Sequence, residues 1–94
     1  LPENFQLDAL LKLSKVCLSL KKWNLTEQFA DELRILSTIR YQEELLLMKE
    51  GKTEPLITLV VYYGQSYLIK SIALFKQGHY EKAKQYIEGY EDLG

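Results

Sequence analysis

Seven tyrosines stand in these 94 residues against one histidine, one cysteine and one tryptophan. Tyr63 and Tyr67 are four apart, Lys70 follows three later, and Gln65 lies between the two tyrosines. On a helix, residues three and four apart share a face, so two phenols and an ammonium group would line one strip and offer hydrogen-bond donors. Tyr63, Gln65, Tyr67 and Lys70 form the candidate ligand-binding set on this reading. The competing arrangement turns the rings into the core and leaves only the hydroxyls at its edge.

The other reactive side chains have no constellation around them. His79 follows Gln77 and Gly78 in a turn-forming stretch, with no Ser, Cys or acid pair set up beside it, and reads as a solvated turn residue. Together with Cys17, 62 positions away, it supplies neither a spacing motif nor enough donors for a metal. Cys17 falls on the apolar side of its helix, where a thiol acts as a small inert core residue. Glu32 and the pair Glu43-Glu44 belong to a solvated helix face, and no glycine-rich phosphate loop is present. No catalytic residue, metal or cofactor is expected.

These residues must be positioned by helices. Asp8, Lys12, Lys15, Ser19 and Lys22 recur at steps of four and three, while Leu10, Leu13, Cys17 and Leu20 fill the opposite side, which predicts an amphipathic helix over 5–20. Asn24, with Glu27 three residues on, forms a capping-box pattern for a second helix from about Leu25 to Glu50, and Gly51 supplies its stop. That helix is long for so small a chain, and a bend or break near Ser37-Thr38 is expected. Thr53 and Pro55 are suited to opening a third helix that runs to Lys76. Its run Ile57-Thr58-Leu59-Val60-Val61-Tyr62-Tyr63 has strand-like composition, but no turn signal and no second strand follow it. Tyr80, Ala83, Ile87 and Tyr90 mark the apolar face of a fourth helix ending near Asp92. The fold class predicted is all-α: about four helices in antiparallel hairpins, forming one domain over 1–94.

Composition sets bounds on function. Twelve Lys and Arg against thirteen Asp and Glu give a net charge of -1, with no basic stripe to follow a phosphate backbone. A single cysteine excludes an internal disulfide framework. The apolar run Leu56 to Phe75 has about the length a bilayer needs, roughly 20 residues. Lys70, Gln65 and three hydroxyl residues interrupt it, and a central charge costs roughly 3 kcal/mol in lipid, so no membrane span is expected. The apolar residues of the third helix, with Leu45, Leu46, Leu47 and Met48 near the end of the second, exceed what one short helix covers, which predicts a symmetric homodimer.

An internal repeat organises these helices. Tyr67, Ser71 and Leu74, then Gly78, Tyr80 and Ala83, follow the tetratricopeptide (TPR) pattern, in which a small residue on one helix is matched twelve positions later by a small residue on the next. Small residues are needed there because the helices cross at those points. A shift of 57, carrying position 14 to 71, places Leu10, Ser14, Cys17, Trp23 and Thr26 on Tyr67, Ser71, Leu74, Tyr80 and Ala83. Lys70 departs from the pattern, which usually has leucine there.

The order of features over nearly the whole chain resembles the carboxy-terminal half of a family of helix-turn-helix (XRE-type) transcriptional regulators of Firmicutes. The resemblance is carried by Lys21-Lys22-Trp23, Ala30-Asp31-Glu32-Leu33, Glu54-Pro55-Leu56, Tyr62-Tyr63-Gly64-Gln65, and Gly78 to Ala83 leading into Tyr90-Glu91-Asp92-Leu93. It implies a cytoplasmic TPR-like domain, non-enzymatic, that senses a protein or peptide ligand or mediates oligomerisation. It further implies that DNA is reached only through a helix-turn-helix domain ahead of Leu1, of which this chain would be the continuation. In TPR-type arrays, peptides lie on a concave face, which Tyr63, Tyr67 and Lys70 would line. The alternative is a free-standing TPR-type adaptor between proteins.

Overall fold

A computed structural model describes residues 4–47 and 54–91. It contains four helices and, among the described residues, no strand: α1 (Phe5–Ser19), α2 (Trp23–Leu47), α3 (Glu54–Lys76) and α4 (Tyr80–Glu91). The β-branched run 57–63 is helical. The helices stack in chain order, α2 packing on both α1 and α3, α3 on α4, and α1 reaching α3, in a slab of 46 × 31 × 15 Å. No helix among the described residues is long and apolar enough to cross a membrane.

The two short connections are built alike. After α1, Lys21 takes a left-handed φ of 60°, its N–H donates to the Leu18 carbonyl at 3.1 Å, and Lys22 N–H reaches the Cys17 carbonyl at 2.9 Å. After α3, Gly78 has φ 86°, its N–H donates to the Phe75 carbonyl at 3.0 Å, and His79 N–H reaches the Leu74 carbonyl at 2.9 Å. Both are Schellman turns. Every residue of the second is the first shifted by the 57 positions of the sequence repeat. The next helices open identically, with Thr26 N–H on the Lys22 carbonyl at 2.9 Å and Ala83 N–H on the His79 carbonyl at 3.0 Å.

This turn corrects the start of the second helix. Because Lys22 both closes the Schellman turn and accepts the first bond of α2, the helix begins at Trp23, and Asn24 lies inside its first turn, too late to cap it. Glu27 does not reach back into a capping box; it accepts a hydrogen bond from Gln77 Nε2 at 2.8 Å. No break occurs near Ser37-Thr38, since α2 is one continuous helix. Both hydroxyls donate to the Arg34 carbonyl, at 3.0 and 2.8 Å, so their hydrogen bonds are met inside the helix. The expected features at Met48, Glu50, Gly51, Thr53 and Asp92 lie outside the described residues.

Leucines fill the centre, where Leu7, Leu33 and Leu59 from three helices meet and Leu10, Leu11, Leu36, Tyr41 and Tyr62 pack around them. Elsewhere the interior holds Ile69 and Leu74 and is otherwise made of small residues. Ser14 and Thr26 are 0% exposed, Ser71 3% and Ala83 5%, so both repeat-matched pairs are buried on the two helices of their hairpins.

A lysine in the left-handed region costs about 1 kcal/mol relative to glycine, partly offset by the freedom glycine regains on unfolding. Lys21→Gly should therefore stabilise the chain by up to about 1 kcal/mol, and Gly78→Ala should destabilise it by about 1 kcal/mol or more. Thermal melts of the two variants should move in opposite directions, by a few degrees each.

Candidate functional site

Three helices bring one polar aromatic cluster together. α3 contributes Tyr63, Tyr67 and Lys70 at steps of four and three, α4 contributes Tyr86 and Tyr90 four apart, and α2 contributes Asp31 and Arg34 three apart. Each set occupies one face of its helix. Tyr67 is the hub: its ring centroid lies 4.4 Å from that of Tyr86, 5.3 Å from Tyr90 and 5.0 Å from Tyr63. The Tyr63 and Tyr67 hydroxyls share a hydrogen bond at 3.2 Å.

Charge enters from one side. Lys70 Nζ donates to Asp31 Oδ1 at 2.7 Å and stands 4.9 Å above the Tyr86 ring, so α2, α3 and α4 meet at this one ammonium group. Asp31 is thereby paired, and Arg34 meets phenols where it could have met a carboxylate. The guanidinium lies close enough to the Tyr86 and Tyr63 hydroxyls to favour their ionisation. Even so, the buried Tyr86 Oη and Arg34 Nε make no hydrogen bond of standard geometry.

Desolvation outweighs that attraction. Burial, reinforced by the hydrogen bond shared with Tyr67, pushes Tyr63 up to about 12, and burial, with Asp31 adding, pushes Tyr86 up to about 12. Tyr62 is on another face, where its hydroxyl bonds Asp8 of α1 and burial again raises it to about 12. Such phenols are neutral near pH 7. They serve as hydrogen-bond donors and acceptors with flat apolar faces, a surface suited to holding a ligand.

Of the four candidate residues, Tyr63, Tyr67 and Lys70 meet in this cluster and Gln65 does not. Two residues beyond Tyr63 is about 200° around a helix, which sends Gln65 to the other side. Arg34, Asp31, Tyr86 and Tyr90 belong to the site and were not among the candidates. The spacing assigns Tyr90 to the apolar face of the fourth helix and leaves Tyr86 off it; the signal that marks both is their type, tyrosine at two positions four apart. His79 is exposed in the α3–α4 turn and Cys17 is buried. No group of three His, Cys, Asp or Glu among the described residues could hold a metal ion.

The repeat explains how the cluster arose. Under the 57-position shift, Tyr67, Tyr86 and Tyr90 fall on Leu10, Phe29 and Leu33, and Gly64 falls on Leu7. In the first hairpin Leu7 and Leu33 touch in the closed core. In the second, the space above Gly64 is taken by Tyr90, whose Oη would lie 3.0 Å from a Cβ at that position. The same contact is made with its volume moved from α3 to α4. The rings thus pack as the second hairpin's counterparts of the first hairpin's core residues, with Tyr86 Oη buried among them and Tyr90 Oη over Gly64. Comparison with protein-family models, with curated proteins and with solved structures finds no match to this chain.

The raised phenols make stability pH-dependent in a defined window. Below the unfolded value near 10 all three are protonated in both states. Between about 10 and 12 the unfolded chain loses protons that the folded chain retains, so stability falls as pH rises. Melting temperature should drop across that interval, and Tyr63→Phe and Tyr86→Phe should each make the drop shallower. Equal slopes in wild type and both variants would show that these phenols do not govern it.

Proposed function

We propose that this chain is the ligand-sensing or oligomerisation domain of a bacterial transcriptional regulator, TPR-like in architecture, cytoplasmic and non-enzymatic, reaching DNA through a separate helix-turn-helix domain. The observation that carries the ligand reading is the polar lining of the second hairpin: tyrosines at positions where the first hairpin has Leu10, Phe29 and Leu33, with Arg34 facing them free of any carboxylate ion pair among the described residues. A core needs only the rings. The hydroxyls and the guanidinium add directional donors that suit the backbone carbonyls and carboxylates of a short peptide. The resemblance noted in the sequence supplies the regulator context.

Short peptides selected from a display library on the 94-residue chain provide the probe. A selected peptide, titrated calorimetrically, should lose about tenfold or more in affinity with Arg34→Gln or Tyr86→Phe, each of which removes a polar group and keeps the ring stack. Gln65→Ala should leave affinity unchanged. Peptides that bind wild type and both variants alike would place the ligand elsewhere.

The regulator reading also makes a prediction about DNA. Lys12 and Lys15 share the α1 surface with Asp8, and Lys82 and Lys84 stand among Glu81 and Glu88, all exposed. Opposite charges at such spacing cancel the field that would release counterions from phosphates. Titration of this chain with duplex DNA at low salt should show nothing tighter than about 10⁻⁴ M. A salt-dependent micromolar complex would put the DNA contact inside these four helices and overturn the division of roles.

A further inference from the structure

The repeat register identifies a filled groove and a vacant copy of it. The filled one lies between α1 and α2 and receives α3 along the stripe Tyr62, Ser66, Lys70, Ala73 and Gln77. Tyr62 bonds Asp8 and packs on the leucine cluster, Lys70 bonds Asp31, Gln77 bonds Glu27, and Ser66 and Ala73 between them are fully buried. On the groove side Leu11, Leu18 and Trp23 are half-buried. Shifted by 57, these three become Leu68, Phe75 and Tyr80, which are 50%, 57% and 59% exposed. They line a groove of about 740 Å³ between α3 and α4, whose floor includes Ile72, Ala83 and Ile87.

The inserting stripe also has an unused counterpart. Shifted back by 57, Tyr62, Ser66, Lys70, Ala73 and Gln77 become Phe5, Ala9, Leu13, Val16 and Leu20 of α1. Four of these are large apolar residues left exposed, Leu20 at 61%, and they follow one another at steps of four and three along one face. The chain thus presents, at one end, the helix face that its own α3 inserts and, at the other, the groove that such a face fills.

We propose that a second copy of the chain docks its α1 stripe of Phe5, Leu13, Val16 and Leu20 into the α3–α4 groove, continuing between copies the packing that joins the two hairpins within one. The occupant follows from continuity with that internal interface, since α1 relates to the vacant groove by the same register that relates α3 to the filled one. The junction is more apolar than its internal counterpart. Where Asp31 meets Lys70 and Glu27 meets Gln77 inside the chain, the copies bring Glu88 and Lys84 toward Leu13 and Leu20, with the long stems of the charged residues lying over the apolar stripe at the rim. Stripe and groove are different surfaces, so the contact is head-to-tail and does not close on itself. The symmetric homodimer expected from composition gives way to open chains of copies. The proposal does not depend on the regulator reading or on what the tyrosine cluster binds.

Sedimentation velocity of the wild-type chain should show mass rising with concentration through and beyond the dimer in the micromolar range. Val16→Glu damages only the stripe and Phe75→Glu only the groove, both at exposed positions. Each should sediment as a monomer at concentrations where wild type associates. Mixed in equal amounts they should form a species of twice the monomer mass and stop there, because each supplies the surface the other lacks. Leu20→Glu and Leu68→Glu should reproduce the pair, and circular dichroism should show all four variants as helical as wild type. A wild-type monomer at high micromolar concentration would overturn the proposal. So would association of either variant alone, or a mixture that remains monomeric; stripe variants monomeric with groove variants still dimeric would instead mark a symmetric contact between α1 helices.

Discussion

Helices in this chain can approach closely because the buried serine and threonine hydroxyls among the described residues are each satisfied by a carbonyl three or four residues earlier in the chain. Ser14 donates to the Leu11 carbonyl, Thr26 to Lys22, Ser37 to Arg34, Ser66 to Tyr63 and Ser71 to Tyr67, all at 2.6 to 3.0 Å. A serine used this way is nearly as small as alanine and leaves no donor unpaired at the crossing, which would otherwise cost about 1–3 kcal/mol. The tyrosine cluster sits beside two of these small buried positions, Ser71 of α3 and Ala83 of α4, where the Tyr67 and Tyr86 rings approach to 4.4 Å. The same economy of volume leaves the leucine core small and many large apolar side chains outside it.

The repeat was legible in the sequence because its period survives at the crossings and turns, where geometry tolerates few residue types. The structure repeats it hydrogen bond by hydrogen bond, including a left-handed residue in each turn. What hid the first turn was chemistry at one position. Gly78 announces a left-handed residue and Lys21, its counterpart, does not, so the capping pattern at Asn24 and Glu27 was the more visible signal and placed the helix start two residues late. Reading Lys21 through its partner Gly78 would have found it.

The candidate site was half legible for a related reason. Steps of four and three on one helix showed that Tyr63, Tyr67 and Lys70 share a face, and the same rule, applied strictly, would have removed Gln65. The groups that complete the cluster lie across helix boundaries: Asp31 and Lys70 are 39 positions apart. No local spacing encodes such pairs. The register does so in part, since it marks Tyr67, Tyr86 and Tyr90 as core positions and so as neighbours in space.

Gly64 and Tyr90 show how a duplicated hairpin acquires a different surface without a different backbone. The first hairpin closes the contact with Leu7 and Leu33, and Leu59 of α3 covers it from outside. The second moves the volume to one side, as glycine on α3 and tyrosine on α4, and in doing so places a hydroxyl over α3 where a leucine would end in methyl groups. Among the described residues no helix covers this contact as α3 covers the first, and Tyr90 is 38% exposed. Polarity at this contact accompanies its partial exposure. An apolar Leu-Leu pair there would expose methyl groups to water, whereas a tyrosine packs its ring against α3 and adds a polar group to the exposed surface. The exchange of leucine for tyrosine between the two hairpins therefore keeps an apolar body packed on α3 and adds a hydrogen-bonding group that the first hairpin lacks at that position.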